Sequence, residues 1–226
     1  MSKLYYYPNN ASLAPHFLLH HVNANYELIL VDRKSNEQKS EAYLCLNRRG
    51  KIPTLIDGER TVCESAAICI HIAETFPEYR LIPKIGEATR PLFFQWLTFL
   101  TNTLQAQLMV RFYPHRNTTD ESTIASIVDA QDQQVSETLL IIDKQLANNH
   151  YLLGAQLTAC DYFLFMLAGW CIPLETEPSK YPHLAEYLIR LCANDSIKAV
   201  YEKEELDTTQ FPFFNERNRA KDNSKP

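Results

Sequence analysis

Glycine is scarce in this chain: five in 226 residues, at Gly50, Gly58, Gly86, Gly154 and Gly169, each standing alone. A phosphate-cradling loop needs several glycines within a few positions, because only glycine lets the backbone approach a phosphate closely, so Walker and dinucleotide fingerprints are excluded. A CxxC pair is missing too. Cys45, Cys63, Cys69, Cys160, Cys171 and Cys192 show none of the close Cys or His spacings of a structural zinc site, and most sit in apolar runs, where a free thiol acts as a small hydrophobe; no metal is expected. There is no run of about 18 apolar residues and no charged N-terminal segment leading into an apolar one. The expectation is a chain without export signal or membrane span, in the reducing cytoplasm. Excess positive charge is also lacking: Lys and Arg number 22 against 27 Asp and Glu. That balance offers no broad basic surface for nucleic acid.

What is present fits a globular chain of one large or two small domains, with 46% hydrophobic and 22% charged residues. The first 80 residues alternate in type. Lys3 to Tyr7 is a β-prone run ended by Pro8-Asn9-Asn10. From Ser12, which stands where a helix N-cap belongs, Leu13, Phe17, Leu18 and His21 recur at helical spacing. Tyr26 to Val31 reads as a second strand, followed by a polar loop through Ser40. Ile52 to Ile56 reads as a third strand, with Pro53 near its start, and Asp57-Gly58 as a hairpin turn into Arg60-Thr61-Val62. Glu64-Ser65 opens a helix stopped by Pro77. The order is βαβ, a polar stretch, then ββα.

Beyond Arg90 only helical periods remain. Phe93, Trp96, Leu97, Leu100, Leu104 and Leu108 mark the first, Ile124 to Ala147 the second, and the apolar segment through Trp170 a third. Thr158 and Asp161 fit a capping box at the start of that third helix. His183 to Ala193 and Ser196 to Glu204 are amphipathic. The expected domains are an α/β unit over 1–80, a linker over 81–89, an all-helical unit over 90–206 and a loosely fixed tail over 207–226.

Five blocks then carry a resemblance: Lys3 to Pro8, Ser12 to His16, Asn47 to Leu55, Glu64 to Ile68, and Leu157 to Asp161. In that order and at those separations the chain resembles the cytosolic glutathione S-transferases, most closely the bacterial, beta-like branch, from Lys3 to about Glu204. The resemblance implies a thioredoxin-like N-terminal domain, an all-helical C-terminal domain, and a homodimer with glutathione as co-substrate and a hydrophobic electrophile as second substrate.

The chemistry of the residues agrees. Glutathione carries two carboxylates, one ammonium and a thiol, so its site needs anion holders, an extended backbone edge and a donor to the thiolate. Helix N-termini hold anions. Glu64 and Ser65 stand at one, where Ser65 is the candidate for the γ-glutamyl carboxylate and Glu64 for the ammonium. Ile52, ahead of Pro53, is placed to pair its backbone with the cysteinyl part. The thiol has a pKa near about 8.5 when free, and a nearby donor favours the thiolate. Ser12 and Tyr6 are the two candidate donors, with Asn10 in the turn between them. The basic cluster Arg48, Arg49 and Lys51 is suited to the glycine carboxylate. In the helical part, the residue-by-residue match to the family places Thr98, Asn102 and Gln105 at contact positions, Thr98 across the dimer.

Two departures matter. Ala11 stands where beta-like relatives have a cysteine that forms a mixed disulfide with glutathione, and Gln105 stands where they have a histidine. Two rival readings share the same residues: a transferase-like binding or regulatory module with little catalysis, and a glutathione-dependent peroxidase or reductase.

Overall fold

A computed structural model of the chain describes residues 1–175 and 177–214. It resolves into two compact units, one formed by Met1–Ile85 with Ala193–Asp207, the other by Gly86–Cys192 with, among the described residues, 208–214.

The first unit runs β1 (Ser2–Tyr6), α1 (Leu13–His21), β2 (Tyr26–Leu30), α2 (Glu41–Leu46), β3 (Thr54–Asp57), β4 (Arg60–Cys63) and α3 (Ser65–Thr75). The sheet order is β2-β1-β3-β4. β1 and β2 are parallel, which requires the crossover that α1 provides, while β3 runs antiparallel to both β1 and β4. Leu4 and Leu55 face each other in the register and are 0% and 1% exposed. Phe17, Leu18, Ile68 and Ile72 of α1 and α3 are equally buried. Each such side chain contributes about 1.5–3 kcal/mol on removal from water. Asp57 pairs with Arg60 across the hairpin, where Gly58 adopts φ +61°.

Three features of this unit differ from the sequence expectation. A six-residue helix, α2, lies beyond the polar stretch, capped by Ser40, whose hydroxyl accepts from the Tyr43 N–H at 3.2 Å. Only Tyr43 of that helix is buried, so no apolar period announced it. Leu81, Ile82 and Pro83, expected as linker, are buried, and the division between units falls after Ile85. Finally α9 (Asp195–Lys203), expected within a helical unit over 90–206, packs instead on α1, with the rings of Phe17 and Tyr201 stacked at 6.3 Å.

The second unit contains α4 (Arg90–Phe99), α5 (Ala106–Phe112), α6 (Ile124–Leu146), α7 (Ala159–Cys171) and α8 (Pro182–Leu191). α4 and α5 form one rod joined by a turn of π-helix over Leu100–Gln105. The buried residues Leu100, Leu104 and Leu108 are four apart twice over. In a regular α-helix two such steps drift by about 80°, and the wider turn takes up that drift so that the stripe stays on the core side. α7 is buried from Ala159 through Ala168 and starts on the expected capping box. The Asp161 carboxylate accepts from the Thr158 N–H at 2.7 Å, the Leu152 N–H at 2.9 Å and the Tyr187 hydroxyl at 2.9 Å. The expected loose tail is packed over its first part: Phe211 and Phe213 are buried, and Phe211 meets Phe165 of α7 edge to face at 5.0 Å. The remainder, 215–226, lies outside the described residues. No described helix is long and apolar enough to cross a membrane.

Candidate functional site

The site is built where β1 ends and α1 begins. Pro8 stops the strand, and Asn9 takes the left-handed conformation at φ +53°, which asparagine tolerates better than most residues. Asn10 then fixes the loop twice over: its carbonyl accepts from the Leu13 N–H at 2.9 Å and its side-chain oxygen from the Ala11 N–H at 2.8 Å.

Ser12 occupies the N-cap position but makes no cap with its side chain. Its hydroxyl donates to the Tyr7 carbonyl at 3.1 Å and accepts from the Tyr7 N–H at 3.3 Å, and the residue is 0% exposed. The expectation of a hydroxyl capping α1 is therefore corrected. Ser12 instead staples the end of β1 to the start of α1, and its single proton is committed to a backbone carbonyl.

The alternation along β1 puts Tyr5 against Tyr43, with ring centroids 5.9 Å apart, and Tyr6 on the opposite face near His16, at 6.4 Å. Tyr6 is only partly buried, and among the described residues its hydroxyl has no hydrogen-bond partner. Burial, followed by the charges of Glu204 and Glu205, raises its pKa above the ordinary phenol value. Tyr6 therefore keeps its proton at neutral pH and is a donor.

Beneath the loop lies a buried polar chain. His16 Nδ1 is 2.6 Å from Glu204 Oε1, and both side chains are 0% exposed. A carboxylate only accepts, so that ring nitrogen carries the hydrogen. The other nitrogen, Nε2, is 3.0 Å from the Tyr26 hydroxyl, and the second Glu204 oxygen accepts from the Asn9 N–H at 3.3 Å. Burial and Glu204 together push the Tyr26 pKa up to about 12. The end of α9 thus holds the loop from below. Glu204 escaped the sequence reading because Lys203-Glu204-Glu205 looks like solvated charge. The signal was its phase, since Ile197, Val200, Tyr201 and Glu204 fall on one helical stripe.

The extended edge is held in place from the α2 side. The Tyr43 hydroxyl and the Asn47 amide both donate to the Lys51 carbonyl, at 2.7 and 2.8 Å. Gly50 sits at φ +58°, where a Cβ would fall 2.7 Å from the Gln38 carbonyl oxygen, so no other residue fits the bend. The Ile52–Pro53 peptide bond is cis. Among the described residues the N–H and C=O of Ile52 make no hydrogen bond. The expected strand from Ile52 starts only at Thr54, and the segment ahead of it leaves the main-chain groups of Ile52 open to an extended ligand.

At the start of α3, Glu64 adopts φ +69°, and Ser65 is 7% exposed with its hydroxyl donating to the Ala11 carbonyl. Glu64 accepts from Arg49 Nη1 at 2.6 Å, an exposed ion pair. Asn10, Ser12, Ile52, Pro53, Glu64, Ser65 and Tyr6 thus all belong to one unit, and a direct hydrogen bond joins the Ala11 loop to α3. Thr98, Asn102 and Gln105 belong to the helical unit, on or beside its π-turn, with Thr98 and Asn102 exposed. No described group of three or more His, Cys, Asp or Glu has an arrangement that holds a metal ion. Burial pushes the Cys171 thiol up to about 12 and raises Cys69 further, so neither thiol is a nucleophile.

Comparison with known proteins agrees with this architecture. The family model "Glutathione S-transferase, N-terminal domain" matches residues 2–74, and "Glutathione S-transferase, C-terminal domain" matches residues 103–195. Glutathione S-transferase GstA of Escherichia coli O157:H7 is 23% identical over 206 residues, covering 90% of this chain and 99% of that protein. The structure of a sphingomonad glutathione S-transferase complexed with glutathione superposes with a TM-score of 0.80 at 28% identity, covering 91% of this chain and 100% of that one. The beta-class glutathione S-transferase of Sphingomonas chungbukensis has the same TM-score, identity and coverage. The two family models together span most of the chain, which belongs to the glutathione S-transferase family and is an enzyme of the transferase class.

Proposed function

We propose that the protein binds glutathione in its α/β unit and adds the thiolate to a hydrophobic electrophile, with Tyr6 as the residue that donates to the sulfur. The observation that carries this is the open main chain of Ile52 beside the N-terminus of α3. An extended peptide with a carboxylate at one end meets both requirements there, since the first N–H groups of a helix have no partners within it. Ser65 would hold the γ-glutamyl carboxylate through its backbone N–H, since its hydroxyl proton goes to the Ala11 carbonyl, and Glu64 would hold the ammonium.

Between the two candidate donors, the hydrogen bonds favour Tyr6. The Ser12 hydroxyl would have to abandon the Tyr7 carbonyl to reach a sulfur, whereas the Tyr6 hydroxyl is unengaged among the described residues. In the reaction the thiol loses its proton to solvent, the sulfur forms a bond to the electrophilic carbon, and the leaving group departs with the bonding pair. Ala11 removes the alternative of a mixed disulfide at that position. In the helical unit Thr98, Asn102 and Gln105 are the residues proposed to meet the ligand. A homodimer, cytoplasmic location and a role in detoxification accompany this reading.

The test is conjugation of a generic aryl halide, followed spectroscopically, together with retention on immobilised glutathione and elution by the free tripeptide. Retention with turnover supports the reading. Retention without turnover reduces it to a binding module, and failure to bind removes it.

A further inference from the structure

The Arg49–Glu64 pair lies at the part of the site assigned to the ligand's amino group. Both side chains are well exposed, at 69% and 64%, yet both backbones are fixed. The Arg49 N–H donates to the Asn47 side-chain oxygen at 3.1 Å, and the Lys39 ammonium donates to the Arg49 carbonyl at 3.2 Å. Glu64 stands at φ +69°, a conformation that costs a non-glycine residue energy. An exposed ion pair contributes too little to stability to account for such placement. The two residues are 15 apart in sequence, and the open Ile52–Pro53 edge lies on the chain between them.

We propose that Arg49 is a specificity residue, competing with the ligand's ammonium for the Glu64 carboxylate when glutathione binds. The proposal rests on the glutathione reading above. Binding is then an exchange of cations on one carboxylate: the guanidinium leaves Glu64 for solvent and the ligand's ammonium replaces it. A ligand without an ammonium has nothing to exchange and leaves the Arg49–Glu64 pair closed. Glu64 is then what favours a zwitterionic γ-glutamyl end over a plain acyl chain of the same length, and Arg49, by competing for that carboxylate, sets how far the preference is held down.

Calorimetric titration of glutathione and of its deamino analogue into wild type, Arg49→Gln, Glu64→Gln and the double variant tests this. Arg49→Gln is expected to tighten glutathione by about two- to fivefold, the scale of one exposed ion pair, and to leave the deamino analogue unchanged. In the Glu64→Gln background the same substitution is expected to change neither affinity. Arg49→Lys, which keeps the charge, should resemble wild type, and matched thermal midpoints establish that every variant is folded. If Arg49→Gln weakens glutathione, or leaves it unchanged, the exchange is overturned while the glutathione reading stands. If wild type itself binds no glutathione, both fall, a result distinct from the first.

Discussion

Ser65 donates its hydroxyl hydrogen to the carbonyl of Ala11, and this one bond joins the N-terminus of α3 to the loop that opens α1. The two ends of the proposed ligand, the γ-glutamyl carboxylate and the thiol, are served by those two elements. Their separation is therefore set by a hydrogen bond within the unit and not by the ligand.

Replacing Ser65 with alanine should accordingly raise KM for glutathione more than it lowers kcat. The helix N–H groups remain, but the tie to the loop is gone. A lost hydrogen bond of this kind costs about 0.5–1.5 kcal/mol of stability, which denaturant titration would detect as a small fall in midpoint. An unchanged KM would show that the tie from Ser65 to the Ala11 carbonyl does not set the fit of the ligand.

Tyr6→Phe and Ser12→Ala should fail in different ways. Loss of the Tyr6 hydroxyl is expected to lower kcat by about a hundredfold, the scale of one missing donor to a developing anion, with little effect on stability. Loss of the Ser12 hydroxyl leaves the partly buried N–H and C=O of Tyr7 without that partner, and should cost about 0.5–1.5 kcal/mol for each bond lost, with a smaller change in kcat. Steady-state kinetics beside equilibrium unfolding separates the two. If Ser12→Ala abolishes turnover in a fully stable protein, the roles are reversed.

Much of this arrangement could be read from residues alone, and the missing parts share a cause. Strands, the Asp57-Gly58 hairpin, α7 and its Thr158–Asp161 cap follow from local chemistry, which is what a pattern reports. The same holds for Glu64 and Ser65 at a helix start. Glu204 does not, because its partners His16 and Asn9 are nearly 190 or more positions away and only the folded chain shows that its carboxylate is buried. The hydroxyl of Ser12 is a subtler case: its position at a helix start was evident, but a choice between capping and bonding back to Tyr7 depends on side-chain direction, which spacing does not encode. Phe211 and Phe213 lie in a polar surrounding that conceals their packing on α7.

Glu204 provides a stability test of the buried chain. Glu204→Ala strands His16 Nδ1 and the Asn9 N–H, and should cost about 1–3 kcal/mol for each donor left without a partner. Glu204→Gln can accept from one of the two but presents N–H to the other, so an intermediate loss is expected. Urea unfolding of the three proteins, with matched slopes, checks the order.

Alkaline pH offers a final test. Burial holds the Tyr26 and Tyr43 pKa values up at about 12, against an ordinary value near 10, and Tyr187 is raised as well by burial and by Asp161. A phenol whose pKa is higher in the folded state than in the unfolded one stabilises the fold fully below the unfolded value, and that stability is lost as pH rises through the folded value. Stability should therefore be insensitive to these groups below about pH 10 and fall steeply from there towards pH 12. Tyrosinate absorbance followed alongside circular dichroism would show one group of tyrosines ionising early and a second only as the fold is lost. Tyr26→Phe removes one late phenol but also the partner of His16 Nε2, so it should flatten the alkaline loss while lowering stability at neutral pH. If all the tyrosines ionise together in the folded protein, the buried chain from Tyr26 through His16 to Glu204 does not exist in solution.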